Sequence, residues 1–251
     1  MTTQNQSQSA LLDGTVLLTQ PKIGFRAGSD TVFVAAFCPA KSHDVVLDIG
    51  CGVGGAGLCL HSRVPDIENL YGIEIDPDYA QLAAKNYVDN GLSDSNVNNA
   101  DIRDYILSLN NKCDQIVCNP PYLPMNKHAP SPNTSKARAM GQGEGDATPE
   151  DWVKASLYYL KNGGTLTLIQ RADMLDKMLV LLHKAFGAIE VLPLISKPSS
   201  LECKRVLIRA IKGRKTPMTL HAPVIVHNED GEYTKGINAV LRHKQALPIQ
   251  T

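Results

Sequence analysis

The stretch 45-VVLDIGCGVGGAG-57 sets the fold. Its first five residues are an apolar run holding one carboxylate, the composition of a strand buried on both faces, and glycines follow at once. A strand that stops in a glycine-rich turn and restarts as a helix opens a βαβ unit. Outward from it the elements alternate. Strands are expected at about 70-LYGIEI-75, 96-NVNNA-100, 114-DQIVC-118 and 164-GTLTLIQ-170, and helices at about 54–63, 77–89, 150–161 and 173–185. Asp76 followed by Pro77 is an N-cap with proline at the first helical position, and Asn90-Gly91 stops that helix. Upstream, 15-TVLLTQPKIGFR-26 reads as a short β-hairpin and 29-SDTVFVAAF-37 as a helix capped by Ser29. Past Phe186 the pattern becomes two apolar strands, 187-GAIEVLPLI-195 and 203-CKRVLIRAI-211, joined by 197-KPSSLE-202 as an antiparallel hairpin. The expectation is an α/β fold, a Rossmann-like and mostly parallel sheet with helices on both faces and that hairpin on one edge.

Composition narrows the function. The 251 residues, 43 % of them hydrophobic, suffice for one domain with small additions. No apolar run reaches membrane-spanning length, and the polar start MTTQNQSQSA lacks the order of a signal peptide, so a cytoplasmic protein without a membrane partner is expected. The six cysteines are scattered without C-x-x-C spacing or nearby histidine pairs, and neither metal nor disulfides are expected. Net charge is zero but uneven: eleven acidic and three basic residues lie between Asp44 and Asp104, whereas 196-SKPSSLECKRVLIRAIKGRK-215 carries seven basic residues against Glu202 alone. An acidic half and a basic half suit a cationic cofactor on one side and a polyanion on the other.

In the glycine turn, Gly50, Gly52 and Gly55 satisfy G-x-G-x-x-G, with Glu74 at the end of the second strand as the ribose-binding acid. Gly54 belongs to the same turn. Asp48, two residues before Gly50, would repel a pyrophosphate but welcome a ligand carrying an ammonium and a sulfonium and no phosphate. S-adenosyl-L-methionine is such a ligand. Glu74 can accept both ribose hydroxyls, and Asp101, after the third strand, can accept from an adenine amino group. Ile75 and Ile102 flank these acids as further cofactor contacts. Carboxylates at the ends of successive parallel strands point into one crevice.

The fourth strand runs into 118-CNPPYLP-124. An amine conjugated to a ring is a poor nucleophile, so a site that methylates one must hold both N–H groups and turn the lone pair toward the methyl. The Asn119 side-chain oxygen and the Pro120 carbonyl supply two uncharged acceptors, Pro120 and Pro121 fix their angle, and Tyr122 can stack on the ring. Positioning replaces a dedicated general base, in keeping with seven dispersed histidines.

The order glycine loop, Glu74, Asp101, Asn119 resembles the class I S-adenosylmethionine-dependent methyltransferases across about residues 40–210, whose sheet carries seven strands ending in an antiparallel hairpin. Asn119 to Tyr122 resembles the [DN]PP[YF] signature of amino methyltransferases acting on adenine N6, cytosine N4 or glutamine amides. The segment 20-QPKIGFRAGSDTVFVAAF-37 resembles the N-terminal element of the tRNA(Val) adenine-N6 methyltransferase group, with Gly24, Phe25, Arg26 and Asp30 matching in position. The resemblance implies that Arg26 and Asp30 join the cofactor contacts, that residues 15–40 close the cofactor pocket, and that a 41–213 methyltransferase domain follows a 1–14 disordered tail and precedes a 214–251 extension. Its implied partner is RNA, a tRNA, bound by a monomer or homodimer through Phe25, Tyr122, Lys127, Lys136, Arg138, Lys204 and Arg205. A release-factor glutamine methyltransferase shares the Asn-Pro-Pro-Tyr motif but would carry an N-terminal helical domain, whereas about forty residues precede Asp44 here. A non-catalytic RNA-binding factor on the same fold would bind without methyl transfer, and an NAD-binding oxidoreductase is disfavoured by Asp48.

Overall fold

The computed structural model describes residues 5–121 and 146–249. Tyr122, Lys127, Lys136 and Arg138, and most of the long Pro/Ser-bearing segment after the motif, lie outside the described residues.

The chain opens with β1 (Gln6–Leu11) and β2 (Val16–Pro21), an antiparallel hairpin in register from Gln6 opposite Pro21 to Leu11 opposite Val16. This corrects two expectations. The hairpin begins within the expected tail, and 22–26 continues beyond it rather than forming its second strand. The polar sequence QSQSAL hides the strand because backbone pairing and side-chain bonds hold it: Gln20 Nε2 donates to Ser9 Oγ, and Arg26 to Ser7 Oγ. Leu12, in the turn, is buried.

Next come α1 (Ser29–Phe37), β3 (Val45–Ile49), α2 (Gly55–Arg63), β4 (Asn69–Glu74), α3 (Pro77–Asp89), β5 (Val97–Asn99) and β6 (Cys113–Cys118). Then follow α4 (Pro149–Tyr159), β7 (Leu160–Arg171), α5 (Leu175–Leu182), β8 (Phe186–Ile195) and β9 (Arg205–Lys212). The chain closes with β10 (Thr219–Leu220), β11 (Val224–Ile225) and α6 (Lys235–His243). Gly28, not Ser29, is the α1 N-cap residue, and its N–H donates to Thr31 Oγ1. Asp76 caps α3 as read from sequence, accepting from the N–H of Asp78 and Tyr79.

Among the described residues the main sheet has the order β10-β8-β9-β7-β6-β3-β4-β5, with β11 also on β8. Strands β5, β4, β3, β6 and β7 run parallel, and β9 runs antiparallel to both β7 and β8. The expected seven strands are therefore present in a Rossmann-like sheet, and the 214–251 segment adds two short strands to its edge.

Alternation along the central strands splits the core. Val46 and Val117 pack with α1, α2 and α6, while Leu47, Ile49, Ile116 and Cys118 pack with α4 and α5. Val224, Ile237, Val240 and Leu247 share the first cluster with Val32, Phe33 and Leu58, so the C-terminal segment is built into one core with the sheet. Arg63 fastens it by donating to the Val240, Lys244 and Gln245 carbonyls. Among the described residues, no helix is long and apolar enough to cross a membrane, and no group of three or more His, Cys, Asp or Glu side chains could hold a metal ion.

Candidate active site

At the carboxyl edge of the parallel strands, an open cavity is lined by Gly50 and Gly52 after β3, Glu74 to Asp76 after β4, Asp101 and Ile102 after β5, and Asn119 and Pro121 after β6. Strands lying side by side in parallel bring their ends to one crevice, which is why residues far apart in sequence converge. Phe25, Tyr79, Asp146, Ala147 and Trp152 complete the wall.

The glycine turn takes its path from close approaches. Gly50 has φ +66°, and a Cβ built there would fall on the Trp152 indole, 2.9 Å from Cζ3. At Gly52, φ +57°, a Cβ would lie 3.3 Å from Phe25 Cε1. Two aromatic rings thus cover alternate glycines of one turn. Phe25 is held by Tyr79, whose hydroxyl accepts from the Phe25 N–H at 2.9 Å and donates to its carbonyl at 3.2 Å.

Glu74 braces the turn from the other side. Its Oε2 accepts from Gly52 N–H at 2.8 Å and Oε1 from Asp76 N–H at 2.9 Å. Burial pushes its pKa up, and these two bonds oppose that rise. Asp101 is a different carboxylate: its bonds from the Arg103 side chain, chiefly, hold its pKa below the usual range. The wall so far combines the carboxylates of Glu74, Asp76, Asp101 and Asp146 with aromatic rings, and no Lys, Arg or His lines the cavity among the described residues. Such a wall suits a ligand with positive charge and repels a phosphate.

Four residues expected to contact the cofactor, Asp48, Gly54, Arg26 and Asp30, are not among those that line this cavity. Asp48 does not line it. In β3 its side chain shares the face of Val46, beneath α2, where its Oδ2 accepts from Gly57 N–H at 2.8 Å at 1 % exposure. Burial, with the Glu74 charge adding to it, pushes its pKa up to about 7. Gly54 caps α2 at φ +83°, and a Cβ there would come within 2.8 Å of the Tyr87 ring, so its role is packing against α3. Arg26 donates to the Pro21 carbonyl and Ser7 Oγ, and Asp30 pairs with Arg205. Both pin residues 20–30 in place rather than reaching the cavity. Phe25, expected to touch substrate, stands in the same wall as Glu74.

Trp152, Tyr79, Asp146 and Ala147 carry no expected role from the sequence, and Asp76 only that of a helix cap. The signal for Trp152 was its uniqueness, since the chain has one tryptophan. It sits in the first turn of α4, whose start is fixed by Thr148 and Asp151: each side chain accepts from the other's backbone N–H. Behind Pro121 and Trp152 a second, apolar cavity is lined by Cys118, Pro120, Leu166, Leu168 and Met178 among others.

The basic run 196–215 is divided by the sheet. Arg205 pairs with Arg171 at the crevice edge, while Lys212 ends β9 at the opposite edge. Lys212 Nζ donates to Asn111 Oδ1 and to the Leu157 and Leu160 carbonyls, a structural role. Arg209 is paired with Glu190, and Lys204 is exposed at the crevice edge.

Comparison with known proteins points to the same fold. Residues 27–135 match the family model of the methyltransferase small domain. The tRNA1(Val) (adenine(37)-N6)-methyltransferase of Dickeya chrysanthemi is 24 % identical over 227 residues, covering 88 % of each chain. Among solved structures, a predicted O-methyltransferase from Agrobacterium tumefaciens superposes with a TM-score of 0.67 at 21 % identity, over 84 % of this chain and 94 % of the other. M. jannaschii TYW2, solved in complex with AdoMet, superposes with a TM-score of 0.57 at 15 % identity, over 84 % and 87 %.

Proposed function

We propose that this chain, which carries the fold of the S-adenosylmethionine-dependent methyltransferases and matches their small-domain model over residues 27–135, methylates an exocyclic amine, adenine N6 in a cytoplasmic tRNA. The observation that carries the reading is the single cavity that runs from the Gly50–Gly52 turn and Glu74 to Asn119 and Pro121.

S-adenosylmethionine fits this wall: the turn at Gly50 and Gly52 leaves no room for side chains, the carboxylates meet a cation, and Glu74 keeps lone pairs for ribose hydroxyls beyond its two backbone bonds. When bound it supplies a methyl group on a sulfonium leaving group. Asn119, at the end of β6, holds the acceptor amine through its side-chain oxygen without adding a charge that would pair with a cation. Pro120 is buried against the second cavity and Pro121 lines the first, so the motif is anchored on one side and open on the other. A rigid acceptor pair of this kind works by orientation, which lowers the barrier without a proton-transfer group. Asp48 and Tyr79 act one step back, by holding the start of α2 and Phe25.

The resemblance to the Dickeya enzyme favours tRNA among amine-bearing substrates, and Lys204 at the crevice edge suits a phosphate backbone. The test is mass spectrometry of nucleosides from tRNA of a strain lacking this gene. Loss of N6-methyladenosine supports the reading; unchanged N6-methyladenosine with loss of methylglutamine in release factors replaces it with the protein-directed alternative.

A further inference from the structure

Behind the cavity wall, one buried amide holds the glycine turn from α3. Asn86 is 0 % exposed and uses both ends of its side chain: Oδ1 accepts from Thr19 N–H at 2.7 Å, and Nδ2 donates to the Thr19 carbonyl at 3.1 Å and to the Val53 carbonyl at 2.8 Å. Val53 lies between Gly52, which lines the cavity, and Gly54. The Val53–Gly54 peptide plane is thereby gripped at both ends, since Gly54 N–H donates to the Cys51 carbonyl at 2.8 Å. Tyr87, the next residue on α3, backs the same point, its ring filling the space that a Gly54 side chain would need. From this arrangement we infer that Asn86 is a positioning residue of the donor-binding turn, fixing its shape and tying it to the N-terminal hairpin. The inference rests on the methyltransferase reading and adds to it a residue that acts on the cofactor through Val53 without touching it.

A turn already fixed in one shape loses little freedom when a ligand arrives, so the Asn86 bonds raise affinity. Strand β2 supplies an internal comparison. Four residues of helix advance about 6 Å and two of strand about 6.6 Å, so Asn90 meets Leu17 as Asn86 meets Thr19. Asn90 Oδ1 accepts from Leu17 N–H at 3.0 Å, and its Nδ2 donates to the Leu17 carbonyl at 2.7 Å and to the Asn86 carbonyl. Both asparagines thus fasten one hairpin in the same way. Of the two, Asn86 also holds the turn.

The experiment measures S-adenosylhomocysteine dissociation constants by calorimetry on the full chain, well below the melting temperature of each variant. Asn86→Ala should weaken binding by at least about tenfold, because the Val53 carbonyl loses its buried donor. Asn90→Ala, which loosens the same hairpin, should change it by less than about threefold. Unchanged binding in Asn86→Ala overturns the inference, and so does equal weakening in both variants, which would assign the effect to the hairpin alone. Amide hydrogen exchange on the wild type gives a readout independent of how the variants fold: saturating S-adenosylhomocysteine should slow exchange of the Thr19 N–H, held by Asn86, more than that of the Leu17 N–H, held by Asn90. Equal slowing at the two amides overturns the inference. Failure of the wild type to bind S-adenosylhomocysteine would instead remove the methyltransferase reading, and this inference with it.

Discussion

Replacing Asp48 with Asn tests whether the carboxylate under α2 is a brace or a ligand contact. Asp48 is 1 % exposed, accepts one backbone N–H, and has no cationic partner among the described residues. Its pKa rises from the ordinary 3.8 to about 7, which corresponds to about 4 kcal/mol. The sign follows from the direction. The folded state keeps the Asp48 proton more tightly than the unfolded chain, so this contribution is fully present below about pH 4 and is lost as pH rises toward 7. Asn keeps an acceptor for Gly57 N–H and cannot ionise. Urea denaturation of the ligand-free protein, followed by Trp152 emission from pH 5 to 8, should show the Asp48→Asn variant gaining on wild type as pH rises, by about 2–3 kcal/mol across that window, with a plateau above pH 7. Parallel stability curves for the two proteins would refute the placement of a buried, unpaired carboxylate at this position.

The other predictions concern the cavity and its rim. Tyr79→Phe removes a hydroxyl that both accepts from and donates to Phe25; thermal melting should report a loss of about 1–2 kcal/mol, and calorimetry weaker nucleoside binding. Asn119→Ala should abolish methyl transfer to tRNA while leaving S-adenosylhomocysteine affinity within a few fold, and near-normal turnover would remove its amine-holding role. Lys204→Glu should raise the KM for tRNA and flatten its salt dependence. Lys212→Glu should leave that salt dependence alone and cost about 2 kcal/mol of stability, because it breaks three bonds to Asn111, Leu157 and Leu160.

Much of the architecture was legible from residue order. A strand, a glycine turn and a helix, followed by strands ending at Glu74, Asp101 and Asn119, can close only as a parallel sheet whose strand ends meet. Gly50, Gly52, Ile75, Ile102 and Pro121 all reached the cavity for that reason. Local chemistry also fixed the Asp76 cap on α3. What misled was periodicity where none is visible. In VVLDI every neighbour of Asp48 is apolar, so the sequence does not say which face the carboxylate takes, and a one-residue alternation sends it under α2. The strand QSQSAL was missed because its stability lies in pairing, which composition does not record.

The amino-acid sequence by itself determined the alternation of strands and helices around the glycine turn and the set of strand-end groups, because these depend on local pattern and on the rule that parallel strands present one edge. Only the tertiary structure decided which side chains wall the cavity with them. Trp152 reaches Gly50 from a helix about a hundred positions away, Asp30 is pinned by Arg205, and the basic run divides between opposite edges because β9 crosses the sheet. Each of these depends on contacts between residues distant in sequence, whose geometry is set when the two faces of the sheet are packed.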